Sequence, residues 1–503
     1  MASGLAGVAA FPPFDVWALG WVAPALLLTA LRGATAPLGF GAGLVAGFCF
    51  QSLLGWWLFP AGVNARAYFL GAVACASYVG AFGAGAIWLE RSAPAWAPLA
   101  VPSLWGVLEW VRGNLGWLAT PWGVLGYSQW TVRPVAGVGA VAGVWGVSFV
   151  LVGAGYLLAG LAGGSTARPE SRTARAALAF AMAALLVAGT LAAHSAAAPA
   201  PASLRVAIVQ AGRHVPGRGD RVDAERVFER YRDLTRQAAA LGPELVVWPE
   251  SAMPASLPSD KAARAALAAL AREVGTPLLI ASAGRDKTRP GPAADRWANS
   301  TFLFSPAGEI VARYDKIRLL PFNEYVPLRR WVSWPGWIAP DMQDAEAGAE
   351  RTVFRVGEAR FGALICWENL FGSEFRQTAA PGVDFVVSLT NEGFTEVGPG
   401  HRQLLAINAF RAVENGIAVA RAATTGVSAF VAPDGQVVDR VADAAGRDLD
   451  VEGYRVRELP LGRSPTLYRR FGDWIVAAEA AILLVAMTGG RRSRRGWPGA
   501  GMP

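Results

Sequence analysis

The chain has 503 residues, of which 53% are hydrophobic and 17% are charged, and its mean hydropathy is +0.32. These values are shifted from those of soluble proteins toward those of membrane proteins. The formal net charge is +8, but no basic stripe with interleaved aromatic residues accompanies it, which argues against a nucleic-acid partner. We interpret the positive charge as a topology signal with an attraction to anionic lipid.

Two compositional regimes divide the chain. Residues 1–193 are dominated by Ala, Gly, Leu, Val and Trp, whereas residues 204–460 have the composition of a globular domain long enough to bury a core. The predicted organisation, in chain order, is a transmembrane helical domain at 1–193, a linker at 194–203, a globular catalytic domain at 204–460, a C-terminal transmembrane helix at 461–490 and a cytoplasmic basic tail at 491–503.

Seven apolar stretches approach the length of about 20 residues that a bilayer core requires. These stretches are 14–31, 36–58, 67–89, 96–111, 134–161, 175–193 and 472–488. Residues 1–10 are apolar but too short to cross alone. We expect no cleaved signal peptide, because no basic segment precedes these first apolar residues.

The placement of arginines predicts the orientation, because loops that stay in the cytoplasm collect positive charge. Arginines at alternate span ends lie on one predicted side of the membrane, and they are Arg32, Arg91, Arg168, Arg172, Arg175, Arg491, Arg492, Arg494 and Arg495. Fewer arginines oppose this assignment, namely Arg66, Arg112 and Arg133. We therefore expect a multi-pass protein of the cytoplasmic (inner) membrane whose globular domain faces the periplasmic, extracytoplasmic side.

The globular region alternates short β-rich runs with helical patterns, which predicts an α/β layered domain. The predicted strands are 204–210, 245–248, 278–281, 300–304, 361–365 and 385–389, and the predicted helices are 223–240, 260–274 and 401–415. The turns at 306–308 (Pro-Ala-Gly) and 433–435 (Pro-Asp-Gly) each follow a strand and predict two hairpins.

Three cysteines are too few for a disulfide framework. Cys49 and Cys75 lie inside apolar stretches, where a cysteine behaves as a small hydrophobic residue. Cys366 has a chemical setting: it ends an apolar run, and Glu250 and Lys316 stand upstream after similar runs. A carboxylate, an amine and a thiol that each follow a strand-like stretch are the parts of an acyl-transferring nucleophile site.

Each of these residue types has a distinct chemical task. A thiol near its ordinary pKa is mostly protonated at neutral pH, so Cys366 needs a base, and Glu250 can supply one if an apolar surround raises its pKa. The alternative for Glu250 is a helix cap. Lys316 is one of three lysines beside 43 arginines, and its compact ammonium suits a developing oxyanion. The alternative is a solvated surface lysine, and Glu324 could orient the ammonium.

These strings resemble those of the nitrilase superfamily, whose Glu-Lys-Cys triad attacks a carbonyl and holds an acyl-enzyme thioester. Over nearly its whole length the chain also resembles the bacterial apolipoprotein N-acyltransferase family. This resemblance rests on residues 14–17, 109–113, 121–122 and 126–129 near the start, and on the three active-site strings at 248–251, 316–327 and 365–368. It implies a multi-span α-helical membrane domain joined to a nitrilase-like α/β domain built as an α-β-β-α sandwich.

The resemblance also implies an activity. The family moves an acyl chain from a membrane phospholipid onto its cysteine and then to the N-terminal amino group of a diacylglyceryl-cysteine in a lipoprotein. By this likeness Glu250 is the base, Lys316 the oxyanion stabiliser and Cys366 the nucleophile. The supporting residues are Glu324, Glu368, Trp367 and Asn391. The implied partners are the phospholipid donor, the lipoprotein acceptor and the membrane, with no cofactor and no metal, and we expect a monomer.

Two departures from the family pattern lie close to these residues. Trp367 stands where the family often has Tyr, and residues 391–394 read Asn-Glu-Gly-Phe where Asn-x-Trp-Phe-Gly is usual. Both positions concern access of the substrate more than the triad itself.

Residues 328–337 combine two arginines with three tryptophans, a composition suited to the headgroup zone of a membrane. We expect a lipid-facing surface there, formed by Tyr325, Trp331, Trp334, Trp337 and Phe394. The alternative is an aromatic lid that packs on the domain itself.

Other classes explain less of the sequence. A membrane-anchored amidase of the nitrilase type, acting on another amide or lipid, would use the same triad. A soluble amidase has no use for seven spans, and a transporter or receptor would explain the spans but not the triad strings.

Overall fold

The computed structural model describes residues 1–59, 62–162, 171–198, 200–212, 224–253, 255–285, 296–339, 341–379, 382–393 and 398–495. It divides into two compact units. The helical unit comprises Met1–Trp56, Ala65–Ala193 and Thr466–Pro503, and the layered unit comprises Trp57–Asn64 and His194–Pro465.

The helical unit follows the apolar stretches of the sequence. Its first eight helices are α1 (Ala2–Ala9), α2 (Leu19–Ala30), α3 (Ala36–Leu54), α4 (Ala65–Ser92), α5 (Ala97–Asn114), α6 (Arg133–Ala136), α7 (Val138–Ala162) and α8 (Arg172–Ala196). By length and composition α3, α4, α7 and α8 can cross a membrane, and α2 is a shorter apolar helix. The predicted stretch 96–111 falls in α5, which buries the charged residues Glu109 and Arg112.

α7 and α8 differ in their surroundings although both are strongly apolar. In α7, 78% of the most apolar window is buried inside the protein, whereas in α8 the share is 22%. A helix that is apolar on all sides and enclosed by protein is a central helix, and one that exposes its apolar residues suits contact with lipid. The structure thus distinguishes two helices that have similar composition.

α3 packs on α4 through glycines spaced four residues apart. A Cβ atom at Gly43 would lie 2.2 Å from the carbonyl oxygen of Val79, and one at Gly39 would lie 2.8 Å from that of Gly83. Small residues at this spacing let two helix backbones approach closely, which is a main source of helix association in lipid. The glycine-rich character of the sequence therefore serves packing in this pair of helices.

Two six-stranded sheets form the layered unit. The first has the spatial order β12 (Gly453–Leu461), β1 (Ala202–Gln210), β2 (Leu245–Val247), β3 (Leu278–Arg285), β4 (Trp297–Phe304) and β5 (Ile310–Asp315). The second has the order β11 (Val437–Arg440), β10 (Ala429–Val431), β9 (Ala418–Ala423), β8 (Phe385–Thr390), β7 (Ala359–Ile365) and β6 (Val353–Val356). In each sheet three adjacent strands are parallel, β1 to β3 and β7 to β9, and the other neighbours are antiparallel.

The two sheets bury a common core, with helices outside. Val206 and Ile208 of the first sheet pack in one cluster with Phe361 and Phe385 of the second. On the outer face of the first sheet lie α9 (Ala224–Ala239) and α10 (Lys261–Val274), and α11 (Gly372–Thr378) and α12 (Pro399–Asn415) pack with the second. Helices, two sheets and helices in layers confirm the predicted α-β-β-α sandwich.

The chain then returns to the helical unit through α13 (Leu467–Phe471) and α14 (Trp474–Arg495). Trp474 donates its indole N–H to the carbonyl of Val141 at 2.8 Å, and Asp473 accepts from the indoles of Trp110 and Trp145 at 2.8 and 3.0 Å. Three predicted boundaries shift. The C-terminal helix α14 begins at Trp474 rather than at 461, because β12 extends to Leu461, and it continues through residues 491–495 of the expected tail. α8 and β1 take up half of the expected linker 194–203.

All six predicted strands, the three predicted helices and both hairpins are present. The unpredicted strands have weak sequence signals. β9 reads Ala-Val-Ala-Arg-Ala-Ala, and alanine is depleted in strands, yet every one of its residues is buried because β9 lies inside its sheet. β12 carries several charged residues because part of it is exposed.

We expect Gly43→Val to destabilise the helical unit by about 1–3 kcal/mol, because its side chain must displace the α4 backbone. Gly41→Val is the matched control, since a Cβ atom there meets nothing within 4 Å. Thermal unfolding of the two detergent-purified variants measures the difference. Equal unfolding temperatures would show that the glycine contact does not hold these helices together.

Candidate active site

The three triad residues all follow strand ends. Lys316 comes directly after β5 and Cys366 directly after β7, while Glu250 lies three residues beyond β2. β2 and β5 belong to the first sheet and β7 to the second. The sandwich brings these ends together, so that Glu250 and Lys316 both act electrostatically on the Cys366 thiol.

Cys366 opens a short 3-10 turn, Cys366–Leu370, with a backbone φ of +52°. This left-handed conformation is unfavourable for a residue with a Cβ atom and is found at functional sites when the surroundings enforce it. The side chain of Asn369 donates to the Cys366 carbonyl at 3.1 Å and braces the turn. The thiol is consequently presented at a sharp bend, half-buried.

Glu368 joins the segment of Lys316 to that of Cys366. One carboxylate oxygen accepts from the backbone N–H of Ile365 at 2.9 Å. The other accepts from three donors, the hydroxyl of Tyr314 at 2.8 Å and the backbone N–H groups of Ile317 and Arg318 at 2.8 and 3.0 Å. Burial raises the pKa of Glu368, while these hydrogen bonds oppose the rise. The predicted supporting carboxylate is therefore a bridge between the two sheets.

Glu250 is buried and held at both oxygens. Oε1 accepts from Asn299 Nδ2 and Oε2 from the backbone N–H of Asn391, each at 2.7 Å. Burial raises the pKa of Glu250 above its ordinary value, Lys316 counteracts this, and Glu324 adds to it. A carboxyl with a raised pKa can accept and return a proton near neutral pH. The helix-cap alternative does not describe this residue, because its carboxylate is committed to Asn299 and Asn391.

Lys316 is 1% exposed, which excludes the solvated-surface alternative. Its Nζ contacts Glu324 at 2.8 Å, and Glu324 Oε2 also accepts from the backbone N–H of Leu320 at 2.7 Å. Although burial lowers the pKa of Lys316, the charges of Glu324, Cys366 and Glu250 outweigh burial and raise it. The amine therefore stays an ammonium and offers a fixed positive charge.

Asn299 of β4 is a site residue that the sequence did not reveal. Its Nδ2 donates to Glu250 at 2.7 Å and to Glu324 at 3.3 Å, and its backbone carbonyl accepts from the N–H of Lys316 at 2.8 Å. Asn is depleted in strands, so an Asn directly before the predicted strand 300–304 was the available signal. This one residue contacts two carboxylates and the lysine.

The loop after β8 is held in place by contacts of Asn391 and Glu392, and the sequence did not predict the pairing of Glu392 with Arg421. The Asn391 side chain accepts from the N–H of Gly393 at 3.0 Å and from the hydroxyl of Thr424 at 2.9 Å. The next residue, Glu392, forms a buried ion pair with Arg421 of β9. These contacts fix the loop whose backbone donates to Glu250. Phe394, predicted to face lipid, lies outside the described residues.

The predicted lipid-facing aromatic residues divide between surface and interior. Trp331 is 81% exposed and Trp337 is 37% exposed. Trp334 instead donates its indole N–H to the Pro327 carbonyl at 2.6 Å and meets the Phe322 ring edge-on at 5.3 Å. The packed-lid alternative thus describes Trp334, whereas Trp331 projects from the surface.

The remaining predicted positions are half-buried. Tyr325 lies beside Glu324, and burial raises its pKa. Trp367 packs edge-on against Phe371 with ring centroids 5.6 Å apart. Cys49 and Cys75 are free thiols in α3 and α4. Within the described ranges, no group of three or more His, Cys, Asp or Glu side chains could hold a metal ion.

Models of known protein families match parts of both units. The carbon-nitrogen hydrolase family model matches residues 205–463, and the model of the apolipoprotein N-acyltransferase N-terminal domain matches residues 3–157. The chain is 31% identical to an apolipoprotein N-acyltransferase of Azotobacter vinelandii over 99% of this chain and 96% of that protein. It is 28% identical to one of Geobacter metallireducens over 96% and 93%. A solved amidase from Nesterenkonia sp. is 22% identical, with a TM-score of 0.40, covering 55% of this chain and 95% of the amidase.

The charges around the thiol predict opposite effects of two substitutions. Burial holds the pKa of Cys366 well above its ordinary value, Glu250 raises it further, and Lys316 lowers it. Glu250→Gln removes a negative charge, so the thiol pKa should fall, whereas Lys316→Met removes a positive charge, so it should rise. The measurement is the pH midpoint of iodoacetamide alkylation in a chain lacking Cys49 and Cys75.

Lys261→Met serves as the control, because Lys261 is an exposed residue at the start of α10. Its alkylation midpoint should equal that of the parent chain. Midpoints that move in the same direction for Glu250→Gln and Lys316→Met would contradict the arrangement of charges described above.

Proposed function

This chain belongs to the apolipoprotein N-acyltransferase family, and from that premise we propose that it acylates the N-terminal amino group of diacylglyceryl-cysteine in apolipoproteins. The acyl donor is a membrane phospholipid, and the acyl group passes through a thioester on Cys366. The observation that carries the proposal is the arrangement of Glu250 and Lys316 around the Cys366 thiol in a chain that also has the family's N-terminal domain.

In the first half-reaction Glu250 takes the proton of the Cys366 thiol, and the sulfur attacks the ester carbonyl carbon of the phospholipid. The carbonyl oxygen becomes an oxyanion, which the Lys316 ammonium stabilises. The carbon–oxygen bond to the glycerol then breaks, and Glu250 returns the proton to that oxygen. A lysophospholipid leaves, and the acyl chain remains on Cys366 as a thioester.

In the second half-reaction the amino group of the lipoprotein attacks the thioester carbonyl. The same ammonium stabilises the second oxyanion, and Glu250 accepts the proton that the amine loses. The carbon–sulfur bond breaks, the proton returns to the sulfur, and the amide product departs. One base and one fixed cation thus serve both halves.

The supporting groups keep these roles separate. Glu324 is the direct partner of Lys316 and keeps it charged, so Glu250 is left to accept a proton. Asn299 and the Asn391 N–H donate to Glu250 and hold both of its oxygens in place. Because these groups are already in place, little rearrangement of the site is needed when charge develops in the transition state.

The orientation follows from the arginines at helix ends. Arg32 just after α2, Arg91 at the end of α4 and Arg175 in the first turn of α8 line a common cavity, which supports their assignment to one side. Arg112, which opposed that assignment, is buried and donates to the Trp122 and Gly123 carbonyls, so it is not a loop charge. By the positive-inside rule the arginine side is cytoplasmic and the layered unit is extracytoplasmic.

Incubation of the detergent-purified protein with phospholipid should add one acyl mass to the intact chain, and hydroxylamine should remove it. Cys366→Ser should abolish this adduct and lipoprotein N-acylation, because a hydroxyl is a far poorer nucleophile than a thiolate. Cys49→Ser, in α3, is the control and should retain the adduct. Full activity of Cys366→Ser would overturn the nucleophile assignment, and hydrolysis of an amide or lipid without acyl transfer to lipoproteins would favour the amidase alternative.

The orientation is tested with a membrane-impermeant biotin-maleimide on spheroplasts. A single cysteine at Trp331, which is 81% exposed, should react with intact spheroplasts. A single cysteine at Arg172, in the first turn of α8, should react only after the membrane is permeabilised. The reverse pattern would place the layered unit in the cytoplasm and remove its access to lipoproteins.

A further inference from the structure

A second cluster of charged side chains lies in the helical unit. A cavity of about 500 Å³ opens where α2, α4 and α7 end and where α5 and α8 begin. Arg32, Arg91 and Arg175 line it, together with Glu90 and Tyr156. These side chains come from three helices and from the turn after α2, so the fold brings distant parts of the sequence to one space. The three guanidinium groups and one carboxylate leave an excess of two positive charges.

Among the residues that the structure describes, few acceptors are available to the N–H donors of these arginines. Arg32 donates to the Ala159 carbonyl, and Arg91 donates to the Ala34 carbonyl at 2.7 Å. Arg175 lies 5.9 Å over the Tyr156 ring, and its Nε is buried without an acceptor. A guanidinium has five N–H donors. In the part of the chain that the structure describes, none of the three forms an ion pair with a carboxylate.

Glu90 offsets only one of the three positive charges. One of its oxygens accepts a hydrogen bond from the hydroxyl of Tyr156, which holds the carboxylate at the cavity wall. A cavity with several converging guanidinium groups suits a polyatomic oxyanion, because the guanidinium fork matches two oxygens of a phosphate. The carboxylate that shares the wall can accept hydrogen bonds from hydroxyl groups carried by the same ligand.

The apolar part of the cavity lining favours the phosphate of a phospholipid over a free phosphate ion. Leu28, Leu31, Ile87 and Val101 form an apolar part of the lining. A free phosphate has no use for such a wall, whereas the glycerol and first acyl carbons of a phospholipid do. The cavity also lies at the ends of apolar helices, which is the depth at which headgroups are found, and basic pockets between membrane helices bind anionic headgroups.

We propose that this cavity is a binding site for an anionic phospholipid, with Arg32, Arg91 and Arg175 on the phosphate and Glu90 toward headgroup hydroxyls. The positive-inside rule explains why arginines lie at this end of the helices. It does not require that three arginines separated by up to 143 positions in the sequence line a single cavity. The site is separate from the triad, which belongs to the layered unit.

Native mass spectrometry of the full chain tests the proposal. The protein carries Cys366→Ala, so that lipid is bound but not consumed, and it is titrated with phosphatidylglycerol, phosphatidylcholine or inorganic phosphate. We expect one phosphatidylglycerol to be retained more tightly than phosphatidylcholine. Each of Arg32→Gln, Arg91→Gln and Arg175→Gln should weaken its binding about tenfold, the equivalent of one charge-assisted hydrogen bond.

Arg172→Gln is the matched control, because it removes the same charge three residues from Arg175 but does not line the cavity. Its affinity for phosphatidylglycerol should be unchanged. Ala34→Phe keeps all three arginines and fills the cavity, so it should also lose the lipid. This variant keeps the test decisive if an arginine variant fails to fold.

Three outcomes would overturn the proposal. The first is equal loss of phosphatidylglycerol in Arg172→Gln and in the cavity variants, which would indicate a diffuse charge effect. The second is equal retention of phosphatidylcholine and phosphatidylglycerol. The third is binding of inorganic phosphate with the same arginine dependence but without retention of lipid, which would identify a small-anion site.

Discussion

The active site depends on one buried carboxylate that spans the two sheets. Glu368 binds the backbone N–H of Ile365, just before Cys366, and that of Ile317, just after Lys316. The Cys366 thiol and the Lys316 ammonium follow strands of different sheets, so no strand pairing fixes their separation. A carboxylate that accepts several N–H groups at once is a strong, directional connection in a low-dielectric interior. The relative position of thiol and cation therefore depends on Glu368.

The charged groups around Lys316 also have separate partners. Two negative groups, Glu250 and Glu324, lie near one ammonium, and the structure assigns them different partners. Glu324 contacts Lys316 directly, while Glu250 is held by Asn299 and the loop at Asn391. Burial raises the pKa of Glu250, and the proximity of Glu324 adds to this. Two carboxylates with different surroundings can thus take different roles, one structural and one in proton transfer.

The sequence predicted the triad positions and the α/β character because both are local signals. Glu250, Lys316 and Cys366 each follow an apolar run, and strand ends are where side chains leave a sheet. It did not predict Asn299 or the Glu392 pair with Arg421, because these depend on which strands become neighbours in three dimensions. Composition alone would also have made β9 a poor strand, whereas tertiary burial decides its structure. The aromatic segment illustrates the same limit, since its spacing could not separate the half-buried Trp334, which packs on the domain, from the exposed Trp331.

The pairing of β1 with β12 has a consequence for biosynthesis. These strands are the first and last of the layered unit, and Ala202 lies directly opposite Leu461. The chain therefore enters and leaves that unit at neighbouring points, and the helical unit receives α14 only after the whole layered unit has been made. Until then the groups on α5 and α7 that contact Asp473 and Trp474 lack these contacts. The order of synthesis thus makes the addition of α14 the last step in building the helical unit, after the ribosome has delivered the layered unit.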